Sequence, residues 1–233
     1  MSIKENIDSI LNKVEKAAKK VGRDPADIMV VAVSKTVDSN RALKAVESGI
    51  VNLGENRVQE LIKKYDSLTD TDVKWHMIGH LQRNKVKYII DKVEMIHSVE
   101  SLKLAKEINK RASQNNLLAK VLVELNIGGE ESKFGISEES IYEFLESMEE
   151  FENIKVMGLM TVAPFCEDPE DVRWVFKKMK NIFDKVSVMN FKNTEMKYLS
   201  MGMTNDFEIA IEEGSNIIRV GTAIFGARNY KED

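Results

Sequence analysis

The chain has 233 residues, 43% apolar and 31% charged, enough for a sizeable core beneath a soluble surface. Its 34 basic residues against 38 acidic ones leave a formal charge of −4, which removes any bulk electrostatic case for a nucleic-acid partner. One cysteine, Cys166, excludes an internal disulfide and a multi-cysteine metal site, and the longest apolar run, Ile28 to Val33, falls far short of the roughly 18 residues of a membrane span. The N-terminus, Met1-Ser2-Ile3-Lys4-Glu5-Asn6, lacks the apolar stretch of a secretory signal. The expectation is a cytoplasmic, soluble protein.

A charged helix is predicted over Ile3 to Lys20, then a strand over Ile28 to Ser34. Asp38 or Ser39 caps the next helix, which Gly49 ends. The pattern then repeats. Ile50 to Leu53 precedes a helix over Arg57 to Ser67, and Val73 to Ile78 precedes one over Gln82 to Ile90. Val93 to His97 leads to a helix opened by Ser101, and Ala119 to Asn126 leads through the loop Ile127 to Gly135 to one begun by Ser137-Glu138-Glu139. Ile154 to Met160 is followed by a long helix over Asp168 to Val188, and Met196 to Ser200 by Asp206 to Glu213. Asn216 to Val220 runs into Thr222 to Ala227. Only three prolines and scattered glycines interrupt the chain, so nothing marks a linker. Eight strand–helix units in succession demand parallel strands with helical crossovers. An open doubly wound sheet is the rival; eight units in this length favour a single (β/α)8 barrel with an extra N-terminal helix, one α/β domain over residues 1–233.

Several common chemistries are absent. No two glycines stand two apart, so the dinucleotide fingerprint G-x-G-x-x-G cannot occur, and no glycine precedes a lysine, so there is no P-loop. His76 and His80 have zinc spacing only on a helix, whereas Trp75 to His80 reads as a strand running into a loop. A pocket or barrel-rim histidine is the reading, and no metal is expected.

In a barrel, function gathers at the C-terminal ends of the strands. Those ends read Ser34-Lys35-Thr36, Gly54-Glu55-Asn56, Gly79-His80, Asn126-Ile127-Gly128, Met160-Thr161, Ser200 to Met203 and Arg219-Val220-Gly221-Thr222. The loops after strands seven and eight of many barrels bind phosphate through backbone N–H groups. Ser200 and Thr222 add hydroxyls there, Gly221 permits close backbone approach, and Arg219 adds a fixed charge. Taken singly, each is an ordinary turn residue. Lys35 ends the most apolar strand, where burial lowers an amine's pKa and keeps it nucleophilic. An amine that attacks aldehydes beside a phosphate cradle suits pyridoxal 5′-phosphate (PLP).

The ordered motifs Val31-Ala32-Val33-Ser34-Lys35-Thr36, Gly54-Glu55-Asn56-Arg57, Trp75-His76-Met77-Ile78-Gly79-His80-Leu81-Gln82-Arg83-Asn84-Lys85, Asn126 to Gly135, Gly158-Leu159-Met160-Thr161, Leu199-Ser200-Met201-Gly202-Met203 and Arg219-Val220-Gly221-Thr222 resemble the YggS/PROSC family of pyridoxal phosphate homeostasis proteins. The resemblance runs from about Ile28 to Arg228. It implies a barrel like the N-terminal domain of alanine racemase, with PLP held on Lys35 as a Schiff base. Ser200, Gly221 and Thr222 would hold the phosphate and Arg219 would face the pyridine nitrogen, with Asn56 and His80 near the ring. Met77 and the Gly128-Gly129 pair depart from the family pattern without touching these positions.

The same resemblance implies a protein that binds PLP reversibly and supplies PLP-dependent apo-enzymes. An amino-acid racemase, with Lys35 as one base, is the alternative. An arginine at the ring nitrogen is a permanent donor, which weakens the cofactor as an electron sink. Racemisation also needs an acid or base on each face of the substrate carbon. Alanine racemase takes its second base from an added domain and a dimer partner. A chain ending at Asp233 is expected to lack that domain, so binding is preferred over turnover and a monomer over a dimer.

Overall fold

Ser2 opens the first helix with a capping box: its hydroxyl accepts the Glu5 N–H at 3.2 Å, and the Glu5 carboxylate accepts the Ser2 N–H at 2.7 Å. Helix α1 (Ile3–Lys20) then turns Ile7, Ile10, Val14, Ala17 and Ala18 to one side, the three-and-four spacing of an apolar helical face. In the computed structural model, which describes residues 1–129 and 134–226, that face packs on the late helices of a closed barrel. Part of the expected loop Ile127 to Gly135 lies outside the described residues, as does Ala227 at the end of the last predicted helix.

Strands β1 (Met29–Val33), β2 (Asn52–Glu55), β3 (Lys74–Met77), β4 (Val93–Val99), β5 (Ala119–Glu124), β6 (Ile154–Met160), β7 (Thr194–Met203) and β8 (Ile217–Val220) pair in that order, all parallel. The ring closes where β8 lies beside β1, with Met29 opposite Ile217 and Val31 opposite Arg219. This is the (β/α)8 barrel expected from the alternation of elements. The crossovers carry α2 (Ser39–Glu47), α3 (Val58–Ser67), α4 (Leu102–Gln114), α5 (Ile141–Met148), α6 (Arg173–Ser187) and α7 (Phe207–Glu212), and α8 (Thr222–Phe225) follows β8.

Several boundaries differ from the sequence expectation. The segment after β3 is a 3-10 turn, Arg83–Tyr88, in which Val86 is the one buried residue. The long sixth crossover helix begins as a separate 3-10 turn, Pro169–Val172, capped by Asp168. Strand β2 lies two residues later than its apolar pattern, since the fully buried Glu55 carboxylate at its end is paired. Strand β7 runs on through Met203.

Outward-facing strand residues such as Val30, Ala32, Leu53, Ile96, Val121, Leu159 and Ile218 join the apolar helix faces in one large core. The barrel interior is divided. Met95, Leu122, Met157 and Met160, with Tyr198 against them, fill one side, while the buried polar residues His76, His97, Ser200 and Arg219 share the rest. No helix among the described residues is long and apolar enough to cross a membrane.

Candidate functional site

A cavity of about 1000 Å³ opens at the C-terminal ends of the strands. Lys35 and Thr36 reach it from β1, Asn56 from β2, Met203 to Asp206 from β7, and Arg219, Gly221 and Thr222 from β8. Five of the seven residues expected at the site therefore share one wall. Ser200 and His80 do not line it.

The turn that carries Lys35 is bolted from behind. Lys64, buried on α3, sends its ammonium to the Ser34 carbonyl and to Glu55 Oε1, each at 2.6 Å. The Ser34 hydroxyl donates to that same carboxylate oxygen at 2.6 Å. Burial pushes the Glu55 carboxyl above its ordinary range, and the Lys64 contact opposes the shift. Thr36 follows with φ +64°, a backbone region that a β-branched residue seldom adopts. Its N–H donates to Glu60 Oε2 at 2.7 Å and its hydroxyl to the Lys35 carbonyl at 2.6 Å, which hold the turn there. Such a backbone costs about 1–3 kcal/mol and persists only where the surroundings over-determine it.

Arg219 stands on the neighbouring strand β8, opposite Val31 of β1, and is 4% exposed. Its Nη1 donates to the Ser200 hydroxyl at 2.6 Å and its Nη2 to the Thr161 carbonyl at 2.8 Å. Burial lowers this guanidinium to about 10, while the charges of Glu124 and Asp206 act the other way. No carboxylate among the described residues forms an ion pair with it. Glu124 in turn is pushed up to about 7, mainly by burial, and Asp206 is raised for the same reason. Behind Ser200 the hydrogen bonds continue. His97 Nδ1 is 3.2 Å from Ser200 Oγ, His97 Nε2 is 3.0 Å from His76 Nδ1, and His76 Nε2 is 3.1 Å from Asn52 Oδ1.

Gly221 lies against β1, where a Cβ would stand 3.2 Å from the Val33 carbonyl oxygen. Gly79 serves Asn56 in the same way: a Cβ there would stand 2.6 Å from the Asn56 carbonyl oxygen. Asn56 Oδ1 is buried without a hydrogen-bond partner among the described residues, and Asn56 lines the cavity. His80 instead stands toward the rim, where Nδ1 lies 3.2 Å from Glu100 Oε2 and the ring stacks on Phe134 at 4.0 Å. His76 and His80 are thus separated, one inside the barrel and one outside it. Among the described residues no three His, Cys, Asp or Glu side chains are grouped to hold a metal.

The donor set suits an aldehyde that carries a phosphate. It offers one amine, a buried cation without an anion, a glycine-bared backbone beside a hydroxyl, and an orphaned buried acceptor. Orphaned buried polar atoms are rare in folded proteins and call for a partner. The volume lies at the upper end of the range for small-molecule sites.

The sequence singled out Lys35, Arg219, Gly221 and Thr222 because each ends or follows an apolar strand. It gave no role to Asn52, His97, Lys64 or Glu124. For His97 the one signal was a polar side chain in phase with Met95 on the inward face of β4.

Comparison with known proteins agrees with this architecture. The alanine racemase N-terminal domain family matches residues 6–229. Over 230 residues, 99% of this chain and all of the relative, the sequence is 45% identical to the pyridoxal phosphate homeostasis protein of Aquifex aeolicus (strain VF5). It is 34% identical to the protein of the same name from Haemophilus influenzae over 232 residues, 99% of this chain and 98% of the relative. The structure of PipY from Synechococcus elongatus PCC7942 with PLP bound is similar at a TM-score of 0.81 and 29% identity, covering 92% of this chain and all of that one. The chain belongs to the alanine racemase N-terminal domain family and, within it, to the pyridoxal phosphate homeostasis proteins.

Proposed function

We propose that this protein binds PLP reversibly in the cavity at the strand ends and serves PLP homeostasis, keeping the free aldehyde low and supplying PLP-dependent apo-enzymes. The observation that carries this reading is the meeting of Lys35, Arg219, Gly221, Thr222 and the orphaned Asn56 Oδ1 on one cavity wall. Relatives named for PLP homeostasis, and PipY with PLP bound, support it.

Lys35 supplies the amine that attaches the cofactor. Gly221 and Thr222 hold the phosphate through backbone N–H and hydroxyl, Asn56 Oδ1 accepts a ring hydroxyl, and Arg219 donates to the ring nitrogen. Ser200 and His80 stand outside this contact set. When bound, PLP supplies an electrophilic aldehyde and an electron-accepting ring. Arg219 keeps its proton throughout the neutral range, so it holds the ring nitrogen as an acceptor and leaves the ring a weak electron sink. That suits storage and delivery better than turnover. The same reading makes the protein a cytoplasmic monomer of one domain over residues 1–233.

Borohydride reduction of the PLP-loaded protein followed by peptide mass analysis tests the attachment. A pyridoxyl group is expected on the peptide containing Lys35 and is lost in Lys35→Ala; equal labelling of that variant overturns the assignment. Incubation with single-enantiomer amino acids tests the role. Interconversion at an enzymatic rate would replace delivery by catalysis.

A further inference from the structure

The barrel interior holds two buried imidazoles that cofactor binding does not use. Their protonation pattern follows from the ends of the chain they belong to. At one end Arg219 can only donate, so Ser200 Oγ spends a lone pair on Nη1 at 2.6 Å. At the other end Asn52 Oδ1 can only accept, so the proton on His76 resides at Nε2, 3.1 Å away. His76 Nδ1 is then a bare acceptor and takes the proton of His97 Nε2 at 3.0 Å. That leaves His97 Nδ1 to accept the Ser200 hydroxyl proton at 3.2 Å.

Every link has one donor and one acceptor, and both imidazoles are neutral. Burial holds them so: His76 is lowered to about 4 and His97 well below its usual range. The opposite polarity would need the Asn52 amide turned over. It would also give Ser200 Oγ two incoming donors and leave its own proton unpaired in a fully buried place.

We propose that Asn52, His76, His97 and Ser200 form a one-directional hydrogen-bond relay across the barrel that fixes Arg219 as the donor facing the cavity. Ser200 and His97 are positioning residues, acting through the guanidinium; this extends the cofactor reading above and rests on it for its ligand. With its proton committed to His97, the Ser200 hydroxyl cannot rotate, and its lone pair stays aimed at Nη1. The Thr161 carbonyl fixes Nη2, so two anchored nitrogens set the guanidinium plane. Without the Ser200 acceptor, Nη1 is free to turn toward the nearby charges of Glu124 and Asp206, and the donor to the cavity is lost.

The experiment has two arms. The chain holds three histidines, so imidazole ¹⁵N shifts of the full-length apo protein are readily assigned. His76 and His97 are each expected to be protonated at Nε2 and bare at Nδ1 from pH 5.5 to 8. A proton on Nδ1 of either ring, or a charged imidazole, overturns the relay. In the second arm PLP is titrated into Ser200→Ala and Ser200→Thr. Loss of the hydroxyl should raise the dissociation constant about tenfold or more and shift the absorption band of bound PLP, while Ser200→Thr stays within about twofold of the parent. A lower melting temperature in Ser200→Ala with unchanged affinity and band would overturn the positioning role. If the parent protein takes up no PLP, the cofactor reading falls, and the ¹⁵N arm still decides the relay.

Discussion

Glu124 ends β5 inside the barrel, 8% exposed, with its carboxyl pushed from 4.5 to about 7 chiefly by burial. Between those values the folded chain keeps a proton that the unfolded chain has lost, so stability falls as pH rises through that window. A shift of that size corresponds to about 3 kcal/mol. Replacing Glu124 with Gln removes the proton exchange and keeps the shape. Urea midpoints should then agree between parent and variant near pH 4, and the variant should be about 3 kcal/mol more stable at pH 8. The two buried histidines oblige an opposite slope below about pH 6.5, but both proteins share it, so it cancels in the difference. Equal pH dependence of the two would mean that Glu124 is ionised when folded. None of this was legible in the sequence, where Glu124 ends an ordinary apolar strand. Lys35 and Arg219 were legible because a charge closing such a strand has nowhere to go but the mouth of the barrel. The Ser200 hydroxyl is different: its direction is set by His97, 103 positions away, across the barrel.

At the level of elements, periodicity located all eight strands because their outward faces pack on helices and must be apolar. What it misjudged were boundaries where polar residues are buried in pairs. Strand β2 ends at Glu55, which no apolar pattern marks, and its partner Lys64 lies nine residues on, in α3. This pair ties β1, β2 and α3 together directly behind Lys35. Removing one member leaves a charge buried without its partner, which typically costs about 3–5 kcal/mol. Lys64→Met is therefore expected to lose about that much in urea unfolding at pH 8, and less at pH 5, where the orphaned Glu55 can take up a proton. Adding Glu55→Leu should restore most of the loss, since an apolar pair of similar volume is tolerated. If the double variant is no better than the single one, the network does more than neutralise itself.

Over the whole molecule, the first helix meets the last two helices of the described residues. The helices that follow β7 and β8 are short, six and four residues, and leave that side of the barrel thinly covered. Helix α1 fills the gap. Asn6 Nδ2 donates to the Ile224 carbonyl at 2.9 Å, Lys13 and Lys20 pair with Glu208 and Glu212, and Arg23 reaches the carbonyls of Ile211 and Ser215 at 2.8 Å. The helix foreseen as an addition to the barrel is thus part of its outer ring, and the proposed single domain requires that it unfold with the rest. Ile10, 4% exposed, lies in the centre of its buried face. Ile10→Ala deletes most of that side chain and should cost about 3 kcal/mol, within the usual span for large-to-small changes in a core. The two tryptophans are both far from α1 in sequence, Trp75 buried in β3 and Trp174 half-exposed on α6. If α1 belongs to one cooperative unit, far-UV circular dichroism and tryptophan fluorescence must move together, with coincident midpoints in the parent and the same downward shift in the variant. An early loss of helical signal that leaves fluorescence unchanged would instead make α1 a separately melting strap and the barrel complete without it.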